Sequence, residues 1–486
     1  MITFSYPGNG KALQMCRFAG VLLQRSRTLM KRTKAVFSAA LMTCVFAATV
    51  SCSSSDSSTA DTKKFDKEKT EQLAAISEKS GLLGGELENK KIKWLCDWDI
   101  NADPHADLAL FQEVYGGEIE YIQCTYDERY EKLAQCISAD EGIDFFYAGN
   151  RDSFPKCVSN ELFSPYDEYI DLDSELWKDV RNANDMLEWN GNHYIAITQT
   201  KGDDVAMLYN RKTVAEAGLT DPAVLYKNGE WTWDACQDML EKFVDTKNNK
   251  FGIDGWWFEF GFINTIGVPP VGYENGKLTN NISSPDMERV QNLIYDFYQK
   301  DYIAIGVGDY GWEAKPQYIG EGKLLFYPVG LYELYKSKDS WSKVYGEDVG
   351  FVPMPKDPKA DAHYISTGIE AYAIVSGAHN PEGVAKFLDC KRFCIVNEEA
   401  KAIGESIFSD DYGWIAEMVE MREEMQRLSA ENPVLDLSLG VSADCGTILD
   451  KSLRETARGV AWSETYDSVE PVVRGYIDDV NKELSK

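Results

Sequence analysis

Between Lys91 and Ala148 the chain runs strand, helix, strand, helix, strand, and this alternation most restricts its fold. Lys91–Trp98 (KIKWLCDW) reads as a short strand and Pro104–Tyr115 as an amphipathic helix. Glu118–Cys124 (EIEYIQC) alternates like a second strand, Tyr126–Ser138 is helical, and Gly142–Ala148 (GIDFFYA) is a compact apolar run suited to a buried parallel strand. Parallel neighbours cannot be joined by a tight turn. They need a crossover, so the order predicts an α/β parallel sheet covered by helices.

The pattern then changes. Trp189–Thr198 (WNGNHYIAIT) carries a Gly-Asn turn and reads as a hairpin, and Val205–Tyr209 is a strand. Arg211–Ala217 is a short helix ending at Gly218, and Thr232 is placed to cap a helix through Val244. Lys250–Asp254, Leu324–Val329, Asp348–Pro353 and Ala371–Val375 read as strands, Pro381–Phe393 as a helix, and the last stretch is mainly helical, clearest over Glu417–Ser429. A hydrophobic share of 44% with 12% aromatics supports real cores, and the length suits two or three domains. Charge narrows the function. With 50 Lys+Arg against 79 Asp+Glu, a net −29, the chain lacks the clustered cations that duplex nucleic acid requires.

The N-terminal part is an address. From Met30, Lys31, Arg32 and Lys34 form a basic region ahead of an uncharged apolar stretch, Val36–Val50, too short for a comfortable membrane span. It breaks at Thr49-Val50-Ser51-Cys52, followed by a serine-rich run. That resembles the lipobox of bacterial lipoproteins, with Cys52 as the lipidated residue. Residues 1–51 are therefore expected to be an upstream stretch plus signal peptide, with Met30 the true start. Residues 52–89, rich in Ser, Asp, Lys and Glu, are expected to form a flexible tether.

Six segments carry a further resemblance: GIDFFYAGNRDSF (142–154), LFSPYDEYID (162–171), WNGNHYIAIT and MLYNRKTVAEAGL within 189–219, WTWDACQDMLEKF (231–243), EGKLLFYPVGLYEL (321–334), and VGFVPMPKDPK with ISTGIEAYAIVSGAHNPEGVAKFLDC within 349–390. Their order resembles that of the extracellular solute-binding proteins of ABC importers, family 1, the maltose-binding type. The resemblance implies a two-lobed periplasmic-binding-protein fold, type II-like, with ligand in a cleft that closes about a hinge. It implies a first lobe of 90–200 plus 363–400 and a second of 201–362 plus 401–486. The implied partners are a sugar, the permease subunits of an importer and, through lipid, the outer face of the cytoplasmic membrane. The protein would be a monomer without cofactor, metal or catalysis.

A sugar presents flat C–H faces ringed by hydroxyls, so its site needs aromatic plates beside Asp, Glu, Asn or Arg. The supply is ample, with 12 Trp and 26 Tyr. Trp98 and Asp99 lie just past the first strand, where open α/β sheets bind ligands. Asn150, Arg151 and Asp152 match the family's ligand loop, and Asp203 and Asp204 fall where the family often places a cleft carboxylate. Trp256, Trp257, Phe258 and Glu259 follow the Phe251 strand, and consecutive aromatics cannot all point inward on a strand. Tyr327 and Tyr332 flank Gly330, where the family commonly has a stacking tryptophan, and Thr367, Gly368 and Glu370 fall at the implied lobe crossing.

Other signals are weaker. Gly306–Gly311 is a literal GxGxxG, but Trp312 and Pro316 follow where a helix should open, so it reads as a loop. Asp245–Asp254 lacks the glycine and closing glutamate of a calcium loop. Four scattered histidines (His105, His193, His363, His379) make no metal set, and no C-x-x-C occurs among 11 cysteines. Two alternatives stay open: an extracellular carbohydrate-active enzyme, whose paired carboxylates no motif nominates, or the same fold binding a non-sugar solute.

Overall fold

The computed structural model describes residues 65–102, 105–255 and 257–485. The proposed start Met30, the leader, Cys52 and Trp256 lie outside the described residues. The first sheet uses β1 (Lys91–Cys96), β2 (Glu118–Gln123), β3 (Phe145–Tyr147), β4 (Phe163–Ser164), β5 (Ala196–Lys201) and, much later, β12 (Gly368–Val375). Its order is β2-β1-β3-β12-β4, with β5 also on β12. β2 and β3 run parallel to β1, in register at Trp94↔Tyr121 and Trp94↔Phe145. The crossover reading of the opening segment therefore holds.

The second sheet is formed by β6 (Ala206–Asn210), β7 (Phe251–Ile253), β10 (Leu324–Val329) and β11 (Val349–Val352), in the order β11-β6-β10-β7. A parallel bridge, Ile253↔Ile303, adds one more rung beyond β7. β8 (Val271–Glu274) and β9 (Lys277–Asn280) make a separate hairpin. The chain passes between the sheets at 202–205 and again at 353–367. All six residues of β10 are buried, as expected of a strand covered on both faces.

Local chemistry sets the helix starts. The Thr232 hydroxyl accepts from Ala235 N at 3.3 Å and opens the helix Trp233–Phe243, while Asn380 does the same for Pro381–Val396 through Gly383 N at 2.9 Å.

Three expectations are corrected. The stretch 52–89 is not a tether throughout: Lys67–Ser80 is a helix capped by Asp66, and Leu73, Leu83 and Leu87 sink into the first sheet's core beside Ile92 and Phe111. Burying each leucine contributes about 1.5–3 kcal/mol, enough to hold an otherwise polar segment. The 189–198 segment forms only a turn, with Asn190 and Gly191 at positive φ and one Trp189↔Asn192 bridge. Its second arm pairs with β12 instead. Residues after 401 do not all join the second sheet. The helix Glu398–Asp410 packs on Lys67–Ser80 and Pro381–Val396, and Ala416–Glu431 touches both β5 and β11.

The eight described cysteines are all free thiols, six of them buried, where they pack as small apolar groups.

Candidate functional site

The segments after β1 and β3 leave one end of the first sheet and those after β7 and β10 leave one end of the second, and contacts at the crossings link the loops after β3 and β10. Ala148 N bonds Ala371 O at 2.9 Å, seating the loop after β3 against β12. Arg151, at a positive φ of 61°, then donates from Nη1 to Thr367 O at 3.0 Å. Across the first crossing, Leu331 N bonds Asp203 O at 2.9 Å. Two glycines permit the close approach. A Cβ on Gly368 would lie 2.6 Å from both carboxylate oxygens of Asp204, and one on Gly330 would lie 2.4 Å from the Tyr332 ring and 3.0 Å from Asp204 O. Arg151, Thr367, Gly368, Asp204, Gly330 and Tyr332 are thus contiguous.

The first sheet supplies charge that is already paired. Glu370 meets Lys201 Nζ at 3.2 Å and Lys391 Nζ at 2.8 Å, and accepts the Tyr372 hydroxyl at 2.9 Å. Lys391 also pairs with Asp107. Burial alone would raise the Glu370 carboxyl, but the two lysines outweigh it and hold it well below its ordinary value. Asp152 is likewise engaged, by Arg129 and the Tyr130 hydroxyl, with the Arg129 guanidinium 3.7 Å over the Tyr126 ring. Asp99 accepts from Asn101 N at 2.9 Å, shaping its own loop. Trp98 is half-buried, edge-on to Trp94 and Tyr147 with centroids 5.4 and 5.9 Å away, and Asn150 is half-buried at the loop tip.

The paired aspartates at the crossing differ. Asp203 accepts the Tyr335 hydroxyl, to which Arg422 Nε also donates at 3.2 Å. Asp204 keeps an open surface although protein surrounds it on most sides, as befits the floor of a cleft. That enclosure, with the Asp203 charge next to it, pushes its carboxyl up to about 6 against the pull of Arg151 and Lys201.

The second sheet supplies aromatics. Trp257 is 40% exposed and Tyr332 51%, whereas Tyr327 is 2% exposed and sits in the core against Tyr345. Tyr327 is therefore no open plate: β10 turns it inward, and the exposed ring of the pair is Tyr332. Trp257 is open because the strand has ended at Ile253. Trp257 takes a left-handed turn at φ 73°, and the next residue, Phe258, starts a helix and is buried. Glu259, also expected at the ligand, is buried instead and paired with Arg454 at 3.1 Å. Arg454 lies 4.9 Å over Trp257 and 4.8 Å over Phe260, bracing the open indole. Thr367 is buried, and its hydroxyl accepts from Val434 N at 3.0 Å, so it acts on the crossing through its backbone and fold.

Sequence reasoning missed Lys201, Tyr147 and Arg454, which have no motif of their own, and it named Asp203 and Asp204 together without telling the open one from the paired one. A depression of about 570 Å³ lies elsewhere, lined by Leu82, Lys178, Asp179, Val396 and Glu398, and has no aromatic wall. Among the described residues no group of three or more His, Cys, Asp or Glu could hold a metal ion.

The chain has known relatives. Residues 101–390 match the family described as bacterial extracellular solute-binding protein. A maltotriose-binding protein of Pyrococcus abyssi is 26% identical over 297 residues, which make up 59% of this chain and 60% of that relative. The match thus spans less than two thirds of the curated relative. Among solved structures, a Staphylococcus aureus extracellular solute-binding protein in complex with maltose superposes with TM-score 0.59 at 12% identity, covering 81% of this chain and 99% of that one. A cyclic α-maltosyl-1,6-maltose binding protein from Arthrobacter globiformis gives TM-score 0.59 at 14% identity, covering 81% and 100%. These likenesses carry the two-lobed fold, and with the family match over most of the chain they identify it: the protein belongs to the bacterial extracellular solute-binding proteins.

Proposed function

We propose that the protein captures a carbohydrate, an oligosaccharide, in the cleft between its two lobes and presents it to the permease of an ABC importer. Lobe closure is the working step, and the protein turns over no substrate. The observation that carries this reading is the exposed Tyr332 ring at Gly330 beside the open carboxylate of Asp204, with the exposed Trp257 on the neighbouring loop, whose Gly255 abuts Pro328 of β10. Rings supply flat apolar faces for C–H surfaces, and the carboxylate accepts hydroxyl hydrogens. The relatives named for maltotriose, maltose and a cyclic maltosyl-maltose point to α-linked glucose oligomers as first probes. Asn150, Arg151, Asp99 and Trp98 would form the first lobe's edge of the same site. Glu370, Asp152 and Asp203, already paired, would set the field and shape of its floor.

The site is expected to bind at micromolar affinity or tighter, about 8 kcal/mol. Tryptophan fluorescence of a soluble Cys52→Ser form, titrated with glucose, maltose, maltotriose and maltotetraose, tests this. A saturable change with the sugar recovered intact supports capture; cleaved sugar would replace it with a hydrolase, and silence toward all sugars with another solute.

Lipidation of Cys52 would hold the protein at the outer face of the membrane. Mass spectrometry of the membrane-fraction N-terminus should find a diacylglyceryl-cysteine. An unmodified Cys52, or a chain beginning before Met30, would reject the anchor or the start.

A further inference from the structure

The second sheet's aromatic edge continues beyond the residues assigned above. The Ile253↔Ile303 bridge runs parallel to β7, so the chain leaves Ile305 at the same sheet end as Asp254 after β7 and Gly330 after β10. The loop 305–316 that follows is the glycine-rich GxGxxG stretch. It is stapled rather than loose. Gly306 N bonds Gly311 O at 2.7 Å, the Tyr310 hydroxyl donates to Asp254, and Lys315 N donates to Asp254 Oδ2 at 3.1 Å. Tyr310 itself is fully buried. On this braced loop Trp312 lies over Gly306, where a Cβ would come within 2.8 Å of the indole, yet Trp312 is 84% exposed.

Among the described residues the two exposed tryptophans, Trp257 and Trp312, both belong to these loops, and exposed Tyr332 belongs to the third. The three loops leave adjacent rungs of one sheet. Rungs are about 4.8 Å apart, so the outer loop starts about 10 Å from the Gly330 loop, a distance comparable to the advance of two linked sugar rings. An indole held out by a braced loop has little ordering entropy left to lose on binding.

From this we infer that Trp312 is the outer aromatic contact of the cleft, stacking on the distal units of an oligosaccharide and setting the preference for chain length. The inference rests on the carbohydrate reading proposed above. Its test compares wild type and Trp312→Ala by calorimetric titration with maltose and with maltotetraose, using Trp312→Phe as the ring-retaining control. Replacing so exposed a side chain should leave the melting temperature unchanged. Trp312→Ala should weaken maltotetraose about tenfold while leaving maltose within about twofold, and Trp312→Phe should restore most of the loss. Equal effects on both sugars, or none on either, would overturn the length role while leaving carbohydrate capture standing. Wild-type protein that binds neither sugar would instead remove the reading on which the inference rests, and the inference with it.

Discussion

On the first sheet's side of the cleft, nearly every charge has a partner within the protein: Glu370 with Lys201 and Lys391, Lys391 with Asp107, Asp152 with Arg129. On the second sheet's side the polar groups withdraw. Glu259 is buried under Arg454 and Asp254 under Tyr310, while Trp257, Tyr332 and Trp312 stand open. One wall is an electrostatic frame whose bonds are already made; the other presents exposed apolar faces. A paired buried charge fixes geometry but has little left to give a ligand, whereas an exposed ring gains by losing water. Substitutions in the first wall should therefore act on stability, and those in the second on affinity.

The largest effect should come from breaking the frame. Glu370→Gln leaves two enclosed lysines without their shared counter-charge, and urea unfolding at pH 7 should show a loss of about 3 kcal/mol. Because the folded protein holds this carboxyl well below its ordinary value, the stabilisation is present above that value and fades as pH falls through the depressed one. The gap between wild type and variant should narrow in acid accordingly. Unchanged stability at pH 7 would dissolve the distinction between the walls.

Next comes the open wall. Trp257→Ala should cost about 2 kcal/mol in maltotriose affinity, close to thirtyfold, with little change in unfolding free energy. Trp98→Ala sharpens the contrast: Trp98 packs edge-on to Trp94 and Tyr147, so its loss should register in stability as well as affinity. A larger affinity loss at Trp98 than at Trp257 would shift the main stacking surface to the first lobe. Arg454→Met, which removes the cation over Trp257 and the partner of Glu259, should weaken maltotriose by about 1 kcal/mol through a less well-held ring. Calorimetry on the three variants orders them.

How much of this the sequence disclosed follows the same divide. The crossover pattern of β1 to β3 was legible because β2 alternates like a half-exposed edge strand and β3, buried on both faces, is a plain apolar run, and the Thr232 cap because capping is local chemistry. That same double burial hid the direction of Tyr327. A strand apolar throughout has no alternation to tell which way a tyrosine points, so Tyr327 and Tyr332 read alike although one is core and one is open. Trp257 was one of a run, Trp256 to Glu259, named on a premise that fails, since Trp257 sits in a left-handed turn and not on a strand. The helix Lys67–Ser80 stayed hidden because its one leucine, Leu73, stands among many charges, too sparse an apolar stripe to outweigh the polar composition. Lys201, Lys391 and Asp107 come together only through the pairing of β5 with β12 and the packing of Pro381–Val396 beneath them, contacts that no local pattern encodes.

Asp204 is the one carboxylate at the crossing that belongs to neither wall, and it should give the smallest and most diagnostic effect. Enclosure and the neighbouring Asp203 hold it up to about 6, so between pH 5 and pH 7 the empty protein passes from a neutral to a charged group there. A charged carboxylate accepts sugar hydroxyls more strongly than a neutral one, so maltotriose affinity should climb as pH rises through about 6, by about threefold. Asp204→Asn should flatten that profile. Stability should move the opposite way. A raised carboxyl value means that the folded state resists the charge more than the unfolded chain does, a cost absent below the ordinary value near 3.8 and complete above about 6. Asp204→Asn should therefore melt slightly higher than wild type at pH 7.5 and no higher at pH 3.5. An affinity profile that keeps its rise in Asp204→Asn would assign the titration to another group and return Asp204 to the paired side of the cleft.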